Sequence, residues 1–356
     1  MSFYFLKPVD VWLFRDGRPF DVGMGNRAQS LFPPYPTVVQ GAIRSHQLVL
    51  QNINLNDKER ILSTVGSTED YLDLRLRGPF LAYKDGSKTE IFYPLPADAV
   101  TVDLKKGLVK PASVPVAPPT DILTSRGDLW IMGLEDKPVK GGGNFWLKQD
   151  QLVRYLKRET VETVQEKDLF TREIRTGISI DENTRITVKG ALFEVEYIRP
   201  EKGIGLLMDL QGYSWPETGL LRLGGESRAA TFEKVADAAI NLPVKDIPDA
   251  NLPARFKVCF VTPTWFTQGW KPENWNTFFT GQVMLRSAAI SRYQSIGGFD
   301  FSKKWHKPSR RFVPAGSVFY FESSGPSQIK SNLVQNALTE WGAEIGFGQY
   351  ILEKEW

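Results

Sequence analysis

Between Val283 and Arg311, seven basic residues (Arg286, Arg292, Lys303, Lys304, Lys307, Arg310 and Arg311) stand against one acid, Asp300, a local net charge of +6. Inside this island, Lys303-Lys304-Trp305-His306-Lys307 mixes cations with an aromatic ring, a combination that can track a nucleic-acid backbone and stack on its bases. A charge run is also what an ordinary solvated face looks like. The excess, together with neighbouring Gly297-Gly298, favours an exposed surface for nucleic acid or another partner. Nearer the N-terminus, Arg15, Arg18, Arg27 and Arg44 surround one turn and the run that follows it. Their guanidinium forks could hold several phosphates of a single strand, or could be surface charge paired with Asp16 and Asp21. Phe20, Phe32, Tyr35 and Phe347 could stack on splayed bases or fill a core.

Two glycine loops could add backbone donors. Gly224 and Gly225 precede the strand-like AATFEKV, with Arg228 between, and Gly346 and Gly348 flank Phe347 just before QYILEKEW. Without a Cβ, the backbone can bring N–H groups against a phosphate; the alternative is that these glycines only turn the chain into a strand. The two segments echo one another, either from an internal duplication or by chance.

Acid–base chemistry has little to draw on. His46 and His306 are the two histidines, and neither sits in a metal-ligand spacing or beside a recognisable nucleophile. No catalytic residue, metal or cofactor is expected.

The elements that would position these groups follow from length and pattern. A chain of 356 residues, 42% hydrophobic and 24% charged, is an ordinary globular composition long enough for two domains with separate cores. The overall charge of +3 is too small to diagnose nucleic-acid binding by itself. The lone Cys259, within FKVCFV, has no intrachain disulfide partner and reads as a small core residue. No apolar run is long enough for a membrane span and the N-terminus lacks a signal-like pattern, so a cytoplasmic location is expected.

FYFLKPVDVWLFRDGRPF predicts two short strands split at Pro8, ending in a turn at Asp16-Gly17. A helix is predicted from Val38 to Leu50, capped by Thr37, with Val38, Ile43 and Val49 on its buried face. Asp85-Gly86 predicts a hairpin within 74–93, residues 95–167 read as a long insertion, and Asp181-Glu182-Asn183 as a turn between strands. GIGLLMDL reads as a further strand. The Pro-rich 245–253 segment divides a domain over 1–244 from one over 254–356. The second should run strand, short helix near Trp275, basic loops, strand, helix over Ser331 to Trp341 and final strand, a β-α-β-β-α-β-like order if the basic segment holds a strand.

RDGRPFDVG and FPPYPTVVQGAIRS resemble the Cmr-type RAMP subunit of the Cas5-like group, as do RTGISIDENTRITVKGALFEVEYI, LRLGGESRAATFEKV, KPSRRFVPAGSVFYFE and GAEIGFGQYILEKEW. The resemblance spans nearly the whole chain, with 95–167 fitting only as an insertion. It implies an α+β fold of two ferredoxin-like, RRM-related domains. It also implies a non-catalytic place in a type III-B CRISPR effector complex, holding the 5′ tag of the guide RNA between the large polymerase-like subunit and the backbone subunits. Some RAMP relatives cut guide precursors with His, Tyr or Lys, which makes His46, close to Arg44, the candidate for a rival metal-independent ribonuclease. A third reading is an architectural subunit whose arginines and insertion contact protein.

Overall fold

The computed structural model describes residues 2–15, 27–103, 105–120, 127–133, 145–181, 183–236, 240, 251–300, 305–354 and 356. The first strand, Phe3–Pro8, buries Phe3 and Phe5 as well as Tyr4 and Leu6, so both of its faces are apolar. A strand of that kind needs a sheet covered on both sides. It lies in an eight-stranded sheet ordered Val164–Gln165, Phe145–Lys148, Lys88–Pro94, Arg75–Asp85, Ile204–Gln211, Phe3–Pro8, Ala229–Val235 and Thr218–Arg222. Tyr4, Leu6, Leu76 and Met208 line one face with Val39 and Ile43 of helix α1 (Pro36–Leu50). Phe3, Phe5, Phe80 and Leu207 line the other, with Leu152 and Tyr155 of α3 (Gln149–Leu156). A short helix α2 (Lys58–Val65), capped by the Asp57 carboxylate accepting from the Arg60 N–H, packs beside α1.

The second sheet is ordered Val283–Ala289, Val318–Ser323, Arg255–Phe260 and Tyr350–Lys354. Its Cys259, Val318, Tyr320 and Ile351 pack on the Phe3 and Phe5 face of the first sheet, so buried side chains from both halves of the chain share one cluster. Its other face is an aromatic core of Phe256, Phe260, Phe319, Phe321 and Trp275. Number the strands Phe3–Pro8, Arg75–Asp85, Ile204–Gln211 and Ala229–Val235 from one to four along the chain; they lie side by side as 2-3-1-4, every neighbour antiparallel. The second sheet, numbered alike, has the same order and sense. The glycine loops that echo each other in sequence therefore each precede a fourth strand. In each half the chain also leaves the sheet between strands two and three to form a two-stranded hairpin. In the first half this is an arm of Phe170–Ile180 and Thr187–Pro200; in the second it is a ribbon of Gln294–Asp300 and Trp305–Phe312.

The protein is α+β, mainly strand, with three α-helices among the described residues. The hairpin across Gly86-Ser87, the turn after Asp181 and the strand Ile204–Gln211 form as the sequence predicts. Other elements differ. Helix α1 starts at Pro36, whose fixed φ suits a first helical position, so Thr37 lies inside the first turn instead of capping it. The stripe it buries is Val39, Ile43 and Gln47, while Val49 is exposed. The predicted second strand survives only as isolated bridges, Trp12 to Ile198 and Arg15 to Ser30. Ser331 to Trp341 forms no α-helix. Its apolar residues mimic helical spacing, but its backbone bonds run sideways: Leu338 N–H to Gly348 O and Glu340 N–H to Trp265 O, with Gln335 and Asn336 at positive φ. The described parts of 95–167 are woven into the fold, since Phe145–Lys148 pairs with Lys88–Pro94 and α3 covers the sheet. Most of the 245–253 segment lies outside the described residues.

At the seam between the sheets sits a buried polar group. The Asp98 carboxylate, 4% exposed, accepts hydrogen bonds from the hydroxyls of Tyr155 (2.7 Å) and Tyr320 (2.5 Å). Lys257 is fully buried beside it and its Nζ has no hydrogen-bond partner among the described residues. Burial lowers the Lys257 pKa and raises those of both tyrosines and of the Cys259 thiol.

Candidate nucleic-acid interface

The +6 island folds largely as the ribbon. Ile296 and Phe312, on the same face of the ribbon as Arg310 and opposite Arg311, are buried against Phe347, whose ring centroid lies 4.7 Å from that of Phe312. That anchor fixes the base of the ribbon, and a register shift between Ile296 and Gly298 bends it. Because side chains alternate along a strand, Arg310 and Arg311 leave it on opposite faces. The Arg311 guanidinium stacks 4.9 Å from the ring of Tyr293, which is half exposed. Arg310 is held between two indoles, 4.6 Å from Trp341 and 5.4 Å from Trp265. Trp305 is 73% exposed, His306 is exposed, and Lys307 is half-buried. Arg292 is exposed and has no partner among the described residues. Lys303 and Lys304 lie outside the described residues.

The line of arginines and rings continues past the ribbon. Arg44, on α1, stacks 5.5 Å from the ring of the buried Tyr71, whose pKa is raised by that burial. The exposed part of the arrangement, Trp305 and Tyr293 with Arg311, presents ring and guanidinium planes on which bases could stack, whereas Tyr71 is buried. Sequence reasoning missed Trp265, Trp341, Tyr71 and Tyr293. Arg44 departs from its expected part: its Nη2 donates to Ser67 O (2.6 Å) and its Nη1 to Gln40 Oε1 (3.4 Å), so it ties α1 to the loop after α2, and burial lowers its pKa. Arg286 is likewise committed, donating to Glu322 at 2.7 Å and stacking 5.0 Å from Trp130.

The N-terminal candidates gather elsewhere. Arg15 is exposed, at the end of a segment fastened by the Phe14 N–H donating to Ser30 Oγ. The Gly224 loop lies against the same segment, with the Gly225 N–H donating to Leu13 O at 2.7 Å. Arg228 stacks 4.7 Å from Tyr197, and lies 3.7 Å from Asp10 and 3.5 Å from Glu226. Asp10 also takes Arg175 and Arg199, both at 3.2 Å, and these cations hold its carboxyl below the usual carboxylate range. Arg228 is thus part of a charge-balanced network at the base of the arm. Arg27 contributes backbone to a short parallel pairing with Glu194 and Val195; Arg18 and Phe20 lie outside the described residues. Phe32 stacks with Trp12 and Phe14 in the core, and Tyr35 packs against the same cluster.

The second glycine loop is structural. Phe347 is fully buried, which removes it from base stacking. The Gly348 N–H donates to Pro263 O (2.8 Å) and the Gly346 N–H to Ala343 O (3.3 Å). Gly346 has φ +105, and a Cβ there would run into the Gly78 carbonyl oxygen. Gly346→Ala is expected to destabilise the protein by about 2–4 kcal/mol, from left-handed strain plus overpacking, read as a lower urea midpoint with unchanged m.

His46 lies in a ring cage, 4.6 Å from Trp215 and 5.5 Å from Phe232, and burial lowers its pKa. Its Nδ1 is buried without a hydrogen-bond partner among the described residues. Among the described residues, no three His, Cys, Asp or Glu are grouped to hold a metal, and no helix is long and apolar enough to cross a membrane.

Comparison with known proteins adds a family. The sequence model of the CRISPR-associated protein (Cas_Cmr3) family matches residues 4–354. No curated protein matches the chain. Among solved structures, a chain of the type III-B Cmr-beta bound to cognate target RNA and AMPPnP is similar at 16% identity and TM-score 0.49, over 89% of this chain and 86% of that one. A chain of the Csm3-Csm4 subcomplex of the type III-A CRISPR-Cas interference complex is similar at 12% identity and TM-score 0.39, over 93% and 96%.

Proposed function

The chain belongs to the Cas_Cmr3 family of CRISPR-associated proteins, a Cmr-module subunit, and from that premise we propose that it is the non-catalytic RNA-binding subunit that holds the guide's 5′ tag in a type III-B effector complex. The observation that carries the RNA-binding part is the ribbon, where Trp305 and Tyr293 stand exposed among Arg292, Lys307, Arg310 and Arg311. The repeated 2-3-1-4 order of antiparallel strands supports a reading of two ferredoxin-like, RRM-related units in which short turns replace the helices of the second. Protein neighbours, the large polymerase-like subunit and the backbone subunits, are the second half of the proposal. The arm favours them, because it exposes Ile174, Ile178, Ile180, Ile186 and Leu192 by 46–68%. A cytoplasmic location goes with the role.

The test is binding of a 5′-tagged guide and of a guide with a scrambled tag across a salt series. Preference for the tag is expected, with the slope of log affinity against log salt falling by roughly 0.7 for each of Arg15→Ala and Arg18→Ala. Equal affinity for the scrambled tag would sink the tag assignment. Incubation with repeat-containing RNA in the absence of metal should give no cleavage; cleavage that disappears in His46→Ala would replace the binding role with a nuclease. The neutral, caged setting of His46 supports the first outcome.

A further inference from the structure

Away from the ribbon, a cavity of about 220 Å³ opens beside the insertion strand Leu108–Pro111, lined by Val100, Lys110, Pro111, Ser113, Val114 and Arg158. Arg158 draws the eye first. It follows helix α3 at φ +69, the left-handed conformation that helix ends usually assign to glycine. An arginine there carries backbone strain that glycine would avoid, so its side chain is what the position gains. One of its five N–H donors bonds Ala112 O at 2.9 Å, and the others have no partner among the described residues. The Ser113 N–H is bonded to Gly133 O, whereas its hydroxyl has no hydrogen bond among the described residues. Val100, Pro111 and Val114 supply an apolar wall beside the two cations.

We propose that this cavity binds a small nucleotide, Arg158 and Lys110 holding its phosphate, Ser113 adding a hydroxyl donor, and the apolar wall taking the sugar or base. A planar guanidinium grips phosphate oxygens in pairs, and a lysine adds a point charge. Size sets the class. At about 220 Å³ the cavity is smaller than the roughly 300 Å³ and more that encloses a whole drug-sized ligand, so it takes the phosphate and only part of the sugar or base, and it excludes an oligomer. The inference is independent of the guide-tag reading, because no residue of the ribbon or of the N-terminal turn takes part.

The test uses the full chain and calorimetric titration with AMP, adenosine and inorganic phosphate. Saturable AMP binding is expected, with adenosine at least about tenfold weaker because it lacks the charge-assisted bonds. Arg158→Gly suits the left-handed backbone, so it should keep the fold by thermal melting while weakening AMP at least about tenfold; Lys110→Gln should weaken it likewise. Competition with a 5′-phosphorylated RNA separates the two sources of the ligand: displacement of AMP marks an RNA end, and no displacement marks a free nucleotide. Adenosine binding as tightly as AMP, or Arg158→Gly binding AMP like the wild type, overturns the proposal. Trp305→Ala serves as the control that leaves AMP affinity unchanged.

Discussion

Asp98→Ala is expected to lower the unfolding free energy by about 3–5 kcal/mol, the usual result of removing one member of a buried charged group. The carboxylate satisfies two tyrosine hydroxyls, from α3 and from the second sheet, and is the near counter-charge of the fully buried Lys257. Alanine would leave two hydroxyls unpaired and one ammonium uncompensated at the seam. Urea unfolding with unchanged m would read the loss as a lower midpoint. Lys257→Met gives the contrast. Among the described residues the ammonium makes no hydrogen bond, and without it Asp98 still accepts from both tyrosine hydroxyls, so Lys257→Met should cost less than Asp98→Ala. A loss in Lys257→Met equal to that in Asp98→Ala would show the lysine to be a strong contributor and refute this account. The pH dependence has a definite sign. The folded pKa of Lys257 is lowered, so between that value and the unfolded value near 10.5 the unfolded chain binds more protons. Stability should therefore gain from this group as pH rises through the window, and Lys257→Met should remove the gain.

The second large effect concerns binding. Trp305→Ala should weaken guide RNA by roughly 5- to 150-fold, the equivalent of about 1–3 kcal/mol for one stacked base. The side chain is 73% exposed, so its truncation should leave the melting temperature in place. Arg311→Ala, which removes one cation and frees Tyr293, should reduce the salt slope by roughly 0.7. Filter binding over a salt series measures both. If both variants bind like the wild type while Arg15→Ala and Arg18→Ala lose affinity, the ribbon faces protein and the N-terminal turn carries the RNA.

Patterns local to the chain were legible in the sequence. The hairpin at Gly86-Ser87 was readable because two apolar runs flank a two-residue turn, and Phe3–Pro8 because its apolar run is continuous. The basic island was visible as charge, but its division into two strands was not, since Gly297-Gly298 and the lysines hide the alternation. The partners of its arginines were unreadable for a different reason. Trp265 and Trp341 reach Arg310 only after the second half has folded around its sheet. Ser331 to Trp341 misled because spacing reports which residues are buried and not where the backbone hydrogen bonds go. Phe347 misled because an aromatic between two glycines looks equally suited to a base and to a core.

The repeated strand order has one more consequence. Both hairpins lie, in chain order, between the second and third strands of their sheets, the arm after three added strands have widened the first sheet and the ribbon directly after Val283–Ala289. At about 3.3 Å per residue, the arm's 11-residue strand gives a finger of roughly 36 Å and the ribbon's 7-residue strand one of roughly 23 Å. The protein thus carries two fingers that differ in length and chemistry, aliphatic on one and basic-aromatic on the other.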